Sequence, residues 1–252
     1  MAAAEPLARS LASAYPHGGR VRPHHHAWGQ LVHAMQGALW VRSGDSLWLV
    51  PPARALWMPA GVEHALTATG ATRLAALYLT PRLAGSMPTL PEVLELSALA
   101  RALLAEIVDS VPIGRGDPRR RRLLWALLDA LREAPPAPYS LRLPLDARAR
   151  SLAESWLAGQ GDGERLADAG KRFGASVRTL QRAFAPTGLR IAEWRSRARL
   201  LRSLGVADEA QKRGVAIMAD AAGYASVSAY TVAFRRAFGR TPGASLRVDR
   251  LT

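Results

Sequence analysis

Two sets of side chains in this 252-residue chain have types and spacings that could do chemistry. The first lies in residues 164–243. Ser176-Val-Arg-Thr-Leu-Gln-Arg-Ala-Phe184 puts Leu180 and Phe184 four apart on one side of a helix and turns Arg178, Gln181 and Arg182 to another. Arg can pair with guanine edges and Gln with adenine edges in a DNA major groove, which is wide enough to admit a helix. The second set is His24-x-His26-x3-Gln30 and, further on, Pro59-x-Gly61-x2-His64. Two histidines one apart on a strand share a face. His64 could converge on them from a neighbouring strand, and imidazoles so spaced suit a divalent transition metal. His25 and His33 should then point away.

The elements that must hold the first set repeat. Leu166, Ala167, Ala169 (or Gly170) and Phe173 give a supporting helix its apolar face. Gly174-Ala-Ser176 is a turn, Gly supplying the left-handed conformation a helix end often needs and Ser176 capping the next helix. A second unit has the same grammar: Ile217, Ala221 and Ala222 support, Gly223-Tyr-Ala225 turns, Ser226 caps, and Tyr230 and Phe234 anchor. Ser228, Thr231 and Arg235 are left outward, and Arg235, Arg236 and Arg240 sit where phosphates could be reached, contacts that position without reading sequence. A long helix near residues 191–204 separates the units, and the connection 205–214 looks long. The bland alternative is an Arg-rich helical bundle that binds another protein.

Residues 1–23 read as a loose arm with one short strand. Across 24–80, apolar runs at 31–35, 38–41, 47–50, 55–58 and 74–79 alternate with Gly37, Ser43-Gly-Asp45, Pro51-Pro52 and Pro59-Ala-Gly61, which predicts an antiparallel sandwich or barrel. Residues 91–133 switch to helical period through Val93, Leu94, Leu96, Leu99, Leu103, Leu104 and Ile107, then Leu123, Leu124, Leu127, Leu128 and Leu131. Gly114-Arg-Gly-Asp-Pro118 breaks them, with Asp117 a candidate N-cap. The two helices either dimerise, join domains or simply cover the barrel. Glu133-Ala-Pro-Pro-Ala-Pro-Tyr-Ser140 is a semi-rigid linker, and Asp146 caps the helix after it. The expected fold class is α+β in two domains: an antiparallel β-barrel over 1–90, a helical hairpin and linker over 91–140, and an all-α double helix-turn-helix over 141–252.

The formal charge is +14, and from Asp146 onward 19 basic residues face 10 acidic ones. A positive field favours a polyanion such as DNA, although a GC-rich gene also inflates Arg and Ala. No apolar run of about 18 residues predicts a membrane span, and the first ten residues lack a basic start followed by an apolar core. With no cysteine there is no disulfide or thiolate metal site, which fits a cytoplasmic protein.

Residues 146–247 resemble the AraC/XylS family of bacterial transcription regulators. The resemblance rests on Ser176-x-Arg-x-Leu-x-Arg-x-Phe184, Trp194 with residues 197–201, Ala222-Gly-Tyr224 and Phe234-Arg-Arg-Ala-Phe-Gly-Arg-Thr-Pro-Gly243, the last being the most diagnostic stretch. It implies one helix-turn-helix in each of two successive major grooves of double-stranded DNA. DNA contacts then fall on Ser176, Arg178, Thr179, Gln181 and Arg182 in the first unit, and on Ser226, Ser228, Thr231, Val232, Arg235 and Arg236 in the second. Val232 departs from the pattern, since many members carry a polar or basic residue there. The second unit is therefore expected to be the weaker base reader and more of a phosphate clamp. The resemblance also implies a homodimer, RNA polymerase as a further partner, and a place at the nucleoid.

The histidine segments resemble the two cupin motifs, with Gln30 where metal-binding cupins usually have Glu, and residues 26–31 and 48–64 resemble the sensor domain of one AraC branch. Three readings stay open. The set His24, His26, Gln30 and His64 holds a metal. Or the same residues, with Trp40 and some of Trp28, Trp48 and Trp57, line a small-molecule effector pocket. Or the barrel is vestigial. A metal-dependent cupin oxygenase or isomerase with an accessory nucleic-acid domain is the enzyme alternative, but Gln30 makes an unconventional ligand set. The favoured reading is a non-enzymatic regulator.

Overall fold

The computed structural model describes residues 6–108, 113–114 and 116–247. Residues 1–5, where half of the N-terminal leader reading rests, Arg115 of the expected helix break, and residues 248–252 lie outside these. The chain divides into two compact units. One holds the described parts of Met1–Ser43, Trp48–Tyr139 and Ser245–Thr252; the other holds Gly44–Leu47 and Ser140–Ala244.

The first unit is built from two antiparallel sheets. Its strands are β1 (Ala8–Tyr15), β2 (Arg20–His24), β3 (Gly29–Gln36), β4 (Leu39–Ser43), β5 (Ser46–Val50), β6 (Arg54–Met58), β7 (His64–Ala68), β8 (Thr72–Leu79) and, after a short helix α1 (Pro81–Ala84), β9 (Glu92–Glu95). One sheet runs β1-β8-β3-β6-β9; the other carries β5, β4, β7 and β2 in that order. Strand β3 is buried along Gly29–Ala34, on both faces. Its Leu31 face packs with Trp57, Leu77 and the apolar sides of helices α2 (Ala98–Val108) and α3 (Pro118–Arg132). Its Gln30 face meets the second sheet, where Gln30 bonds His64 of β7. A strand covered on both sides reads as a continuous apolar run instead of alternating.

Three local expectations give way here. The arm is two strands, and β1 pairs with β8 along its whole length. Ala and Ser are weak strand formers, so β1 owes its state to its partner and not to its own propensity. Residues 92–95 are strand, not helix, because Arg54–Trp57 of β6 offers an open edge for them; α2 begins only at Ala98, with the Ser97 hydroxyl accepting from Ala100 N–H. Leu99, placed on the apolar face by period, is 61% exposed. Asp117 does cap α3, accepting from Arg120 N–H with Pro118 at the first helical position.

The second unit opens with β10 (Ser140–Arg142), whose flank binds the Gly44–Leu47 turn: Leu143 N–H donates to Asp45 O at 2.7 Å. It continues as α4 (Ala147–Leu157), α5 (Leu166–Arg172), α6 (Val177–Phe184), α7 (Ile191–Ser203), α8 (Ala207–Arg213), α9 (Ala216–Ala221), α10 (Val227–Phe238) and α11 (Pro242–Arg247). Asp146 caps α4 through the N–H groups of Arg148 and Ala149. Trp156, Phe184 and Trp194 pack ring to ring at 5.4–6.1 Å and hold α4, α6 and α7 together. Tyr230, Phe234 and Phe238, four apart on α10, stack along its buried face at 4.7–5.6 Å. The connection 205–214 is mostly ordered as α8. Among the described residues no helix is long and apolar enough to cross a membrane.

Candidate nucleic-acid interface and histidine site

In the first helix-turn-helix, α5 supports and α6 is presented. Ala169 and Gly170 are both buried. Gly170 lies against the turn: a Cβ there would come 2.4 Å from Ala175 O. Gly174 has φ +65°, the left-handed conformation, and Ser176 accepts from Thr179 N–H at 3.1 Å. Leu180 and Phe184 are buried, while Ser176, Arg178, Gln181 and Arg182 are exposed and Thr179 half-buried. Thr179 Oγ1 is 2.9 Å from Ser176 Oγ, so these two hydroxyls serve the cap.

The second unit superimposes on this pattern when counted from its cap. Ser226 accepts from Ala229 N–H at 3.2 Å. The residues four and eight after it, Tyr230 and Phe234, are buried, as Leu180 and Phe184 are after Ser176. Ser228, Val232, Arg235 and Arg236 are exposed, and Thr231 is half-buried. Val232 is 70% exposed.

Helix α7 fixes one unit against the other through arginines that sequence reasoning left unassigned. Arg195 donates to Glu164 O at 2.7 Å and to Gly161 O. Arg202 donates to Trp156 O and pairs with Asp162. On the same face of the helix, Arg199 donates to Ala222 O at 2.7 Å and to Gly223 O, and its guanidinium lies 4.9 Å from the Tyr224 ring. Ser203 Oγ and Tyr230 Oη are 2.8 Å apart. Part of the basic excess is therefore framework. The only advance signal was the three- and four-residue spacing of Arg195, Arg199 and Arg202 on one helix.

The histidine set closes as well. His24 and His64 face each other across the β2–β7 pair. One ring nitrogen from each of His24, His26 and His64 lies within 4.8 Å of the others. His24 Nδ1 is 2.7 Å from Arg22 O, and His64 Nδ1 is 2.9 Å from Val62 O, so backbone carbonyls orient both rings. His64 Nε2 is 2.9 Å from the Gln30 amide, which is 3.0 Å from Tyr78 Oη. His26 Nε2 is buried with no hydrogen-bond partner, and its ring stands edge-on to Tyr78 at 4.9 Å. Tyr78 was not foreseen; it comes from β8, 48 residues from Gln30, and nothing local marks it. His33, one step past Val32 on β3, turns the other way and bonds Arg54 O at 2.7 Å. Trp40 is not brought to the set. It pairs with Thr67, one register step from Leu66, and so lies on the face opposite His64, Leu66 and Ala68.

Burial pushes the His64 and His26 imidazoles below the usual range, and the neighbouring histidine rings add to it. A neutral His64 has one N–H and cannot donate to both Val62 O and Gln30 Oε1. Two proton arrangements are self-consistent: a charged His64, or a neutral one whose Nε2 accepts from a turned-over Gln30 amide. Burial favours the second. The residues fit a divalent metal in chemistry: the carbonyls that hold Nδ1 of His24 and His64 would orient both rings to ligate through Nε2, His64 Nε2 giving up its bond to Gln30. Tetrahedral zinc with bonds of about 2.1 Å needs nitrogens about 3.4 Å apart, so the rings would have to draw in.

A β-rich domain with a half-buried polar cluster, joined in one chain to two capped helix-turn-helix units, defines a DNA-binding transcription regulator controlled by a small-molecule effector. The comparisons agree. The model of the AraC-like ligand binding domain matches residues 7–153, and a helix-turn-helix domain model matches residues 169–247. The chain belongs to the AraC family of transcription regulators. It is 33% identical over 224 residues to the HTH-type transcriptional regulator NimR of Escherichia coli, covering 87% of this chain and 80% of that one. It is 34% identical over 101 residues to the HTH-type transcriptional regulator RipA of Corynebacterium glutamicum, covering 40% of this chain and 30% of that one. Among solved structures it is similar to ToxT from Vibrio cholerae, at 12% identity and a TM-score of 0.39 over 96% of this chain and 98% of that one.

Proposed function

We propose that the regulator takes its effector at the cluster of His24, His26, Gln30 and His64, with Tyr78, and reads DNA through α6 and α10. The supporting observation is the convergence of three rings, from β2, the loop after it and β7, on one another, with the His64 ring bonded to the buried Gln30 amide. In this reading Arg178, Gln181 and Arg182 read bases; Ser176 and Thr179 shape the start of α6; Ser226, Ser228, Thr231 and Val232 face the second groove; and Arg235 and Arg236 hold phosphates. The effector biases the DNA-binding unit's occupancy of its sites through its differential affinity for two states. His64→Ala should abolish the change in DNA affinity on adding effector while leaving basal binding as it was. An unchanged response would remove His64 from the site.

A metal is the second reading, and the buried, partnerless His26 Nε2 favours it. Metal content of the purified chain, against a His24→Ala, His26→Ala double variant, separates a bound metal from an organic effector. The likeness over most of the chain to an HTH-type transcriptional regulator supports a non-enzymatic role. We further assign the sensor to 1–90, a hairpin and linker to 91–140 and the DNA-binding domain to 141–252. Leu99 and Trp125, 61% and 42% exposed on α2 and α3, would carry a homodimer contact, which sedimentation of the full chain tests. RNA polymerase as a partner and a cytoplasmic place at the nucleoid complete the proposal.

A further inference from the structure

Counting from the two caps gives each recognition helix the same stations. Six residues after Ser176 stands Arg182; six after Ser226 stands Val232. Both are exposed, on helices whose fourth and eighth stations are buried. One side chain offers five N–H donors and the other offers only hydrocarbon. Val232 is 70% exposed, more than a valine gains anything by in the free protein. It shares a line at four-residue spacing with Ser228 and Arg236, and Arg235 lies beside that line. A face that is apolar at its centre and cationic at one end complements a surface that is polyanionic outside and carries hydrocarbon within. In a DNA major groove one base-edge group is hydrocarbon, the 5-methyl of thymine.

We propose that Val232 recognises a thymine methyl, so that the second unit reads sequence by an apolar contact where the first reads by hydrogen bonds. The proposal rests on the reading that α10 enters a major groove. It is an alternative to the expectation that the lack of a polar side chain here reduces the unit to a phosphate clamp. A guanine-reading arginine at this station demands a hydrogen-bond acceptor, whereas a valine demands a methyl and excludes the polar edges it would leave unpaired. The base pair facing Val232 is then T·A in preference to G·C, and 5-methylcytosine can stand in for thymine.

The test uses the full chain and its best site selected from random DNA. Each thymine of the second half-site is replaced in turn by deoxyuridine, which removes the methyl and nothing else. One replacement should weaken binding about fourfold, as expected for one buried methyl group. Val232→Ala, at an exposed position that should leave thermal unfolding unchanged, should bind the thymine and deoxyuridine sites alike. Val232→Arg should move the selected base toward guanine. If every deoxyuridine site binds the native chain as well as thymine does, or if Val232→Ala keeps the methyl dependence, Val232 is not the methyl reader. Failure of the underlying reading looks different: random DNA would then yield a single preferred element, the one read by α6, with no second half-site, and Arg235→Ala with Arg236→Ala would leave DNA affinity unchanged.

Discussion

His33 is buried in the β-rich unit, and burial pushes its pKa down to about 4 while the bond to Arg54 O opposes the shift. The Arg101 guanidinium lowers it further. The folded chain therefore holds a neutral ring where the unfolded chain, with an ordinary value of 6.5, takes up a proton. A depressed histidine pKa means that stability is full above about pH 6.5 and is lost as the pH falls toward 4. Between pH 7.5 and 5 His33 alone should cost about 2 kcal/mol of stability. His26 and His64 add to the same direction, both being lowered by burial. Thermal unfolding of the native chain and of His33→Gln across this range checks it: the variant should show the flatter slope. Equal slopes would mean that His33 is not the main titrating group.

At the level of elements, the helix-turn-helix units were legible because their signals are local. A serine cap, a glycine two or three residues before it and apolar anchors at the fourth and eighth stations are all contained in about a dozen residues. The sheets were less so. The runs at 31–35 and 55–58 announce β3 and β6, but β1 and β9 are strands only because β8 and β6 pair with them. The turn before α6 makes a specific demand at two glycines. Gly170→Ala would drive a Cβ to 2.4 Å from the Ala175 carbonyl oxygen, so backbone must move. Gly174→Ala meets nothing within 4 Å but must hold φ near +65°, which costs about 1–2 kcal/mol. Gly170→Ala should therefore lower the unfolding temperature more than Gly174→Ala and weaken DNA binding more. The reverse order would contradict the contact between the supporting helix and the turn.

Across the whole molecule, sequence distance decides what could be foreseen. His24 and His64 are 40 positions apart yet face each other, and the spacing of their motifs was enough to join them. Tyr78 carries no motif and enters the cluster only through the register of β8 with β3. Trp40 has the composition of a pocket residue but the parity of its strand turns it away. The arginines of α7 were countable as charge, and only the fold shows that Arg195, Arg199 and Arg202 clamp backbone carbonyls and one aspartate. These arginines tie α7 to the segments flanking both helix-turn-helix units, so a site should consist of two short elements about one helical turn, 10–10.5 base pairs, apart. Genome-wide mapping of bound DNA, with the native chain and with Arg182→Ala expressed at equal level, tests this most directly. Discrete sites sharing two such elements are expected, with the base preference lost in the element read by α6 when Arg182 is replaced. Diffuse binding, or an identical motif for both proteins, would contradict this.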